Sequence, residues 1–245
     1  MRWLICIFCV GLSLPALRAE MPEPLEAALL KLMADDGRWA YTQTVKKFDR
    51  RGRPDGVQVE RFDPSQPEEE QWTLLERDGR PVAEREQRAF RRKKDREMRR
   101  REEKSLGEVI DFDRAVLVRA DEAAVVYEVP LVPGASRRFP EEKFTVLMTV
   151  HPERETLEHF ALKAREAFRM VGVAKIDRVE IDVSFAVVDP AHPPQPAVIA
   201  ASGAGRVLFF PVGGAAEITW TDFKRVKPWK DRFVVEFGEL KVLDF

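Results

Sequence analysis

Residues 143–189 contain the strictest hydrophobic alternation in the chain, and this feature constrains the fold more than any other. Every second residue from Arg178 to Phe185 is apolar, and residues 144–150 repeat the pattern. Because a β-strand turns successive side chains to opposite faces, each segment has one apolar and one polar face. Such segments are typical of an antiparallel sheet that buries one face and leaves the other in water.

The rest of the chain adds further strands and a short helix. Residues 25–34 place Leu25, Leu29, Leu32 and Met33 on one side of an amphipathic helix. Gly203-Ala204-Gly205 is interpreted as a turn. The segments predicted as strands are 38–48, 57–62, 71–77, 115–119, 123–129, 144–150, 156–162, 178–185, 198–201, 206–210, 217–226 and 232–237. The prediction is therefore an α+β, mostly β fold built on a single antiparallel sheet of about eleven strands, which is large enough to curl, close or split.

The first 19 residues have the pattern of a secretory signal peptide. A positive start at Arg2 precedes an apolar run over residues 3–14, and Ala19 stands before a polar stretch. We expect residues 1–19 to be removed and residues 20–245 to form a single domain that is soluble in the periplasm. Both cysteines lie in the signal segment, so the mature chain is expected to fold without a disulfide.

A strongly charged segment interrupts the strand pattern at residues 81–104. Residues 84–104 carry eleven basic and six acidic side chains, and opposite charges recur at helical spacing. We expect a helix with little contact to the core, and three interpretations remain open. It is a solvated surface helix, or its basic side chains Arg92, Arg96 and Arg100 contact either anionic lipid headgroups or an acidic protein partner.

No catalytic or metal-binding motif is present in the sequence. The three histidines, His151, His159 and His192, do not form a His-x-x-x-His pair, and the mature chain has no cysteine to complete a zinc site. A nucleophile elbow and a phosphate-binding loop are also missing. Removing Arg2 and Arg18 leaves a formal charge of −3, which argues against nucleic-acid binding. We therefore predict a non-enzymatic protein without a cofactor.

Large apolar residues concentrate in the predicted strands. They are either ordinary core or, as a set, the lining of a cavity that holds an acyl chain, because burial stabilises a chain by about 0.8 kcal/mol per methylene. The candidate lining residues are Trp39, Tyr41, Trp72, Phe144, Val146, Met148, Phe160, Val183, Phe185, Phe209 and Trp220.

Residues 38–45, Arg-Trp-Ala-Tyr-Thr-Gln-Thr-Val, follow the amphipathic helix and precede a glycine-containing hairpin. This stretch resembles the first strand of the periplasmic lipoprotein carriers of the LolA family, which have an aromatic-Thr-Gln-Thr-Val run in the same place. Residues 61–64 with 71–73 are similar to the third-strand region of that family, where a proline precedes an aromatic strand. The match covers residues 25–75, and the charged helix at 81–104 is an insertion relative to the carriers.

The resemblance implies a fold and a class of ligand. The wider superfamily includes the receptor LolB and the sensor domain of RseB, and its fold is an incomplete antiparallel barrel closed by helices over a hydrophobic cavity. The resemblance thus implies a periplasmic carrier or sensor that binds an acyl chain, a lipid or a lipoprotein. The alternative is an envelope scaffold whose core is filled by its own side chains and which binds an envelope protein or an anionic membrane surface through the basic helix.

Overall fold

Twelve antiparallel strands and two helices make up the computed structural model, which describes residues 21–34, 38–101, 108–134, 140–169 and 174–233. The helices are α1 (Glu23–Met33) and α2 (Glu84–Arg101). The strands are β1 (Trp39–Phe48), β2 (Pro54–Phe62), β3 (Trp72–Arg77), β4 (Arg80–Pro81), β5 (Val116–Ala120), β6 (Val125–Val129), β7 (Phe144–His151), β8 (Thr156–Ala164), β9 (Phe168–Arg169), β10 (Ala174–Ala186), β11 (Gln195–Val207) and β12 (Phe210–Arg225).

All of these strands belong to one sheet. Its order is β4-β3-β2-β1-β12-β11-β10-β8-β7-β6-β5, and the short β9 pairs with β10. The edge strands of this path, β4 and β5, lie at opposite ends of the sheet, so the barrel is incomplete. The mostly β prediction with a single curled sheet and covering helices is confirmed.

The strand register places the alternating apolar residues on a single face of the sheet. Residues paired across antiparallel strands share a face, and Met148 pairs with Phe160, which pairs with Val183, which pairs with Ile199. Ile199 pairs in turn with Ile218 on β12. One apolar face therefore crosses the middle of the sheet without interruption.

Two sequence expectations about local structure are wrong. Gly203-Ala204-Gly205 is not a turn, because β11 runs continuously from Gln195 to Val207. A Cβ atom at Gly205 would lie 2.5 Å from the carbonyl oxygen of Lys175, so glycine is required by the close approach of β10. Met33 is 79% exposed, whereas Leu25 is buried as expected and Leu29 and Leu32 pack against the core.

Several expectations fall on residues that the structure does not describe or describes in part. The signal segment 1–19 lies outside the described residues. The start of the segment predicted as a strand at 232–237 is part of a 3-10 turn, Lys230–Phe233, and residues 234–237 are not described. Among the described residues, no helix is long and apolar enough to cross a membrane.

The turn between β5 and β6 gives a prediction about pH. Hydrogen bonds from the backbone amides of Ala124 and Ala123 to Asp121 hold the pKa of this carboxyl below its usual value. A lowered pKa stabilises the folded state above the unfolded pKa of about 3.9, and this contribution is lost as the pH falls through the folded pKa. We expect Asp121→Asn to lower the urea midpoint at pH 7, and we expect the difference from wild type to shrink towards pH 3. A difference that stays constant with pH would contradict this role for the charge.

Candidate functional site

Helix α1 covers one end of the apolar face. Its contacts are with β7 and β8, and it buries Leu25 and Ala28 in a cluster with residues of β6, β7 and the chain around Ile110. Phe144, Val146 and Met148 belong to this cluster and are at most 2% exposed. These three predicted lining residues are therefore part of the protein core, and α1 separates them from any ligand outside.

Helix α2 covers the other end of the same face. It packs on β3 through Phe90, which is 5% exposed, and through Gln87, whose side chain accepts a hydrogen bond from the amide of Leu74. The ammonium group of Lys94 lies 2.6 Å from the carboxylate of Glu60 and 4.0 Å from the centre of the Trp72 ring. The expectation that this helix has little contact with the core is wrong, because one side of it packs on the sheet through Phe90 and through the buried ion pair of Lys94 with Glu60.

Between the two helices the apolar face is only partly covered. The residues here are half-buried, although the apolar face of an antiparallel sheet is commonly packed on a core. We call this region the open face; its residues are Val45, Val179, Ile181, Val183, Ile199, Ile218 and Trp220. Phe160 and Phe185 are also half-buried and, like Val179 of the open face, pack against the core under α1. Among the predicted lining residues, the open face contains Val183 and Trp220.

One end of the open face has almost no side chains. Gly203 pairs with Gly214, and the adjacent residues Ala201 and Ala216 also pair with each other. The backbone at this end forms the floor of a shallow depression of about 220 Å³ whose walls include Ile176, Val179 and Val212. A flat apolar floor bordered by aliphatic side chains can accept a flexible hydrocarbon chain.

Aromatic rings border the opposite end of the open face. The ring centroids of Tyr41 and Phe62 are 5.2 Å apart, and those of Phe62 and Trp72 are 4.9 Å apart. Trp39 is 5% exposed and packs edge-on against His192 and Phe223. The predicted residues Trp39, Tyr41 and Trp72 therefore come together, and they form an aromatic border that extends under α2.

The opposite face of the sheet is polar and held by ion pairs. His159 Nε2 lies 2.7 Å from Asp182, and Lys163 Nζ lies 2.6 Å from Glu180. The hydrogen bond from Lys163 lowers the pKa of Glu180. The described residues contain no group of three or more acidic, histidine or cysteine side chains arranged to hold a metal. The apolar face is therefore the better candidate for a functional site.

Phe209 does not line the open face. It is 92% exposed, because Leu208 and Phe209 form the two-residue turn that joins β11 to β12. The strand predicted at 206–210 is therefore wrong at its centre: Val207 pairs with Phe210 across the turn. Neither residue of this turn is glycine, asparagine or aspartate, so the usual turn signals were missing.

Two of the basic side chains of α2 that were predicted to contact a partner lie in solvent. Arg92 and Arg96 are exposed, and the side chain of Arg100 lies outside those that the structure describes. Sequence reasoning placed these arginines on the solvent side but missed the docked side, where Gln43 donates a hydrogen bond to the Glu60 carboxylate that Lys94 also contacts. Glutamine and glutamate within strands of alternating pattern gave no signal that they would be buried together.

Comparison of the chain with protein-family models, with curated proteins and with solved structures gave no match. The resemblance to the lipoprotein carriers therefore stays a prediction.

Proposed function

We propose that this protein is a non-enzymatic carrier or sensor that binds the acyl chain of a lipid or lipoprotein on its open face. The observation that carries the proposal is the half-buried state of the open face between two helices that cover only the ends of the sheet. Leaving this much aliphatic surface in partial contact with water is unfavourable by about 25 cal/mol per Å². A bound hydrocarbon chain would remove this cost.

The shape of the open face favours an extended chain over a compact ligand. It runs across β10, β11, β12 and β1, and neighbouring strands are about 4.8 Å apart. Aliphatic side chains form most of its floor, and glycine backbone forms the floor at one end. Aromatic rings border the other end. The resemblance of residues 25–75 to the periplasmic lipoprotein carriers supports the same class of ligand and an exported location for the protein.

A substitution at Gly203 tests the proposal at a position with room for a Cβ atom. A Cβ atom here would lie 3.7 Å from its nearest neighbour, which is ordinary van der Waals contact. Gly203→Leu would fill the depression, and we expect it to lower the affinity for a fluorescent long-chain fatty acid by about tenfold, since about two methylenes lose their contacts. The measurement is a fluorescence titration of the wild type and the variant.

The matched control is Gly205, which lies on the same strand but has no room for a Cβ atom. At Gly205 a Cβ atom would clash with the backbone of Lys175, so Gly205→Ala is expected to lower the melting temperature. Gly203→Leu should keep the wild-type melting temperature and lose affinity. An unchanged affinity in folded Gly203→Leu, or no fatty-acid uptake by the wild type, would contradict the proposed function.

A further inference from the structure

The hairpin between β11 and β12 ends in exposed apolar side chains. Phe209 is 92% exposed, Phe210 72% and Leu208 57%, and Val207 and Val212 are also exposed. We call residues 207–212 the tip. Its apolar side chains do not contribute to the core, so folding of the domain does not account for them.

The tip lies at the end of a three-stranded extension of the sheet. The last residue of β1, Phe48, pairs with Ala215, so residues 210–214 of β12 continue past β1. On the other side, the pairing of β8 with β10 ends at Lys163 and Glu180, and β10 continues to Ala174 with only the short β9 beside it. Five residues of extended chain span about 16 Å, which places the tip well beyond the neighbouring strand.

The chemistry of the turn also disfavours a purely structural role. Leu208 has a φ of 56°, a left-handed conformation that glycine or asparagine adopts at less cost. A leucine at this position strains the backbone and exposes its side chain, so it stabilises neither the turn nor the core. A contact outside the protein would account for an apolar residue here.

Basic side chains accompany the tip. Arg169, Lys175 and Arg206 pair across three strands, and Arg178 lies on the same polar side of the extension. Asp177 is the one acidic residue of the described extension, residues 168–169, 174–179 and 203–214, so its formal charge is +3. The turn between β1 and β2, at the same end of the sheet, adds exposed arginines at Arg50 and Arg51.

We propose that the tip inserts into the interfacial region of an anionic phospholipid bilayer. Phe209, Phe210 and Leu208 would enter the boundary between headgroups and acyl chains, while the basic side chains behind them contact lipid phosphates. The pairing of Val207 with Phe210 satisfies the backbone groups beside the turn, which lowers the cost of bringing the hairpin out of water. A narrow two-residue end with a basic surround fits a fluid bilayer better than the broad area that a stable protein partner needs.

The position of the tip also connects it to the open face. Phe210, Val212, Gly214, Ala216, Ile218 and Trp220 alternate along β12 and share one face of the sheet. Membrane contact of Leu208, Phe209 and Phe210 does not require acyl binding. If the proposed function also holds, this strand gives a continuous apolar path between the bilayer and the open face.

Vesicle co-sedimentation of the exported, purified protein tests the inference. The vesicles consist of phosphatidylcholine alone or of phosphatidylcholine with about one quarter anionic phosphatidylglycerol. We expect wild type to bind the anionic vesicles, Phe209→Ser/Phe210→Ser to bind at least about tenfold more weakly, and Lys175→Gln/Arg206→Gln to bind with a weaker salt dependence. Val116→Ser/Val118→Ser removes two similarly exposed apolar residues from the edge strand β5 and should bind as wild type.

Two further measurements separate the bilayer from other occupants. The tryptophan added by Phe209→Trp should emit at shorter wavelength with anionic vesicles, and brominated lipid should quench its emission, both relative to the emission of wild type. No binding by wild type, equal binding to neutral vesicles, or full binding by the double-serine variant would overturn the proposal. A change of oligomeric mass in that variant without lipid would also overturn it and assign the tip to contact between copies of the chain. Fatty-acid titration of the same variant shows whether acyl binding persists independently.

Discussion

Val183→Asp is expected to lower the affinity of the protein for a long-chain fatty acid by at least about 100-fold, because an ionised carboxylate loses several kcal/mol of solvation when hydrocarbon covers it. Val183 lies in the centre of the open face, between Phe160 on β8 and Ile199 on β11. It is half-buried in the ligand-free protein, so the new carboxylate remains in contact with water and folding should be retained. The measurement is a fluorescence titration, with the melting temperature of each variant as the test of folding.

The neighbouring residue supplies a matched control. Ser184 lies on the same strand but on the opposite face, where it pairs with His159. Ser184→Asp adds the same charge a few ångströms away and should bind fatty acid as wild type does. Val183→Asn separates the loss of apolar contact from repulsion of the ligand carboxylate, and it should weaken binding by about tenfold. Equal binding by the two aspartate variants would contradict the assignment of the ligand to the open face.

Lys94→Met is expected to lower the free energy of unfolding by about 3–5 kcal/mol, because it leaves the buried carboxylate of Glu60 without its cation. The side chain of Glu60 is 4% exposed and that of Lys94 is 14% exposed, and their charged groups are 2.6 Å apart. After the substitution, Gln43 remains as a hydrogen-bond donor to the carboxylate but cannot neutralise its charge. Urea denaturation of wild type and variant at pH 7 measures the change.

The double variant Glu60→Leu/Lys94→Met tests whether the unpaired charge is the cause. Replacing both partners with apolar residues of similar volume removes the desolvation cost of each, so the double variant should be more stable than Lys94→Met alone. Exposed pairs of α2 give the comparison: Arg88→Met, which breaks the surface pair with Glu84, should change stability by less than about 1 kcal/mol. A loss of less than 1 kcal/mol in Lys94→Met would contradict the docking role of this pair.

The sheet could be predicted from sequence because its signal is local. Strict alternation in β7 and β10 places apolar side chains on one face of each strand and polar side chains on the other. The strand register then aligns the apolar faces of five strands, from Met148 to Ile218. The apolar face and its residues Phe160, Val183, Phe185 and Trp220 follow from the pattern alone. Which part of that face α1 covers could not be predicted, because helix docking depends on contacts between segments distant in sequence.

The wrong predictions have specific physical causes. Glycines 203 and 205 suggest a turn by composition, but both lie within β11, and Gly205 allows the backbone of β10 to approach closely. Phe90 and Lys94 lie among many charged residues in sequence, so the composition of α2 gave no sign that one side of it packs on the sheet. The turn at Leu208 and Phe209 contains no glycine, asparagine or aspartate, so its composition gave no turn signal.

The most direct test of an acyl-binding open face is native mass spectrometry of the protein purified after export, with organic extraction of the same sample. A chain that carries lipid on its open face should show an added mass that extraction removes, and the extract should contain a lipid of that mass. A ligand-free mass, together with no later uptake of fluorescent fatty acid, would contradict acyl binding. The exposed basic side of α2 would then be the surface on which to look for a partner.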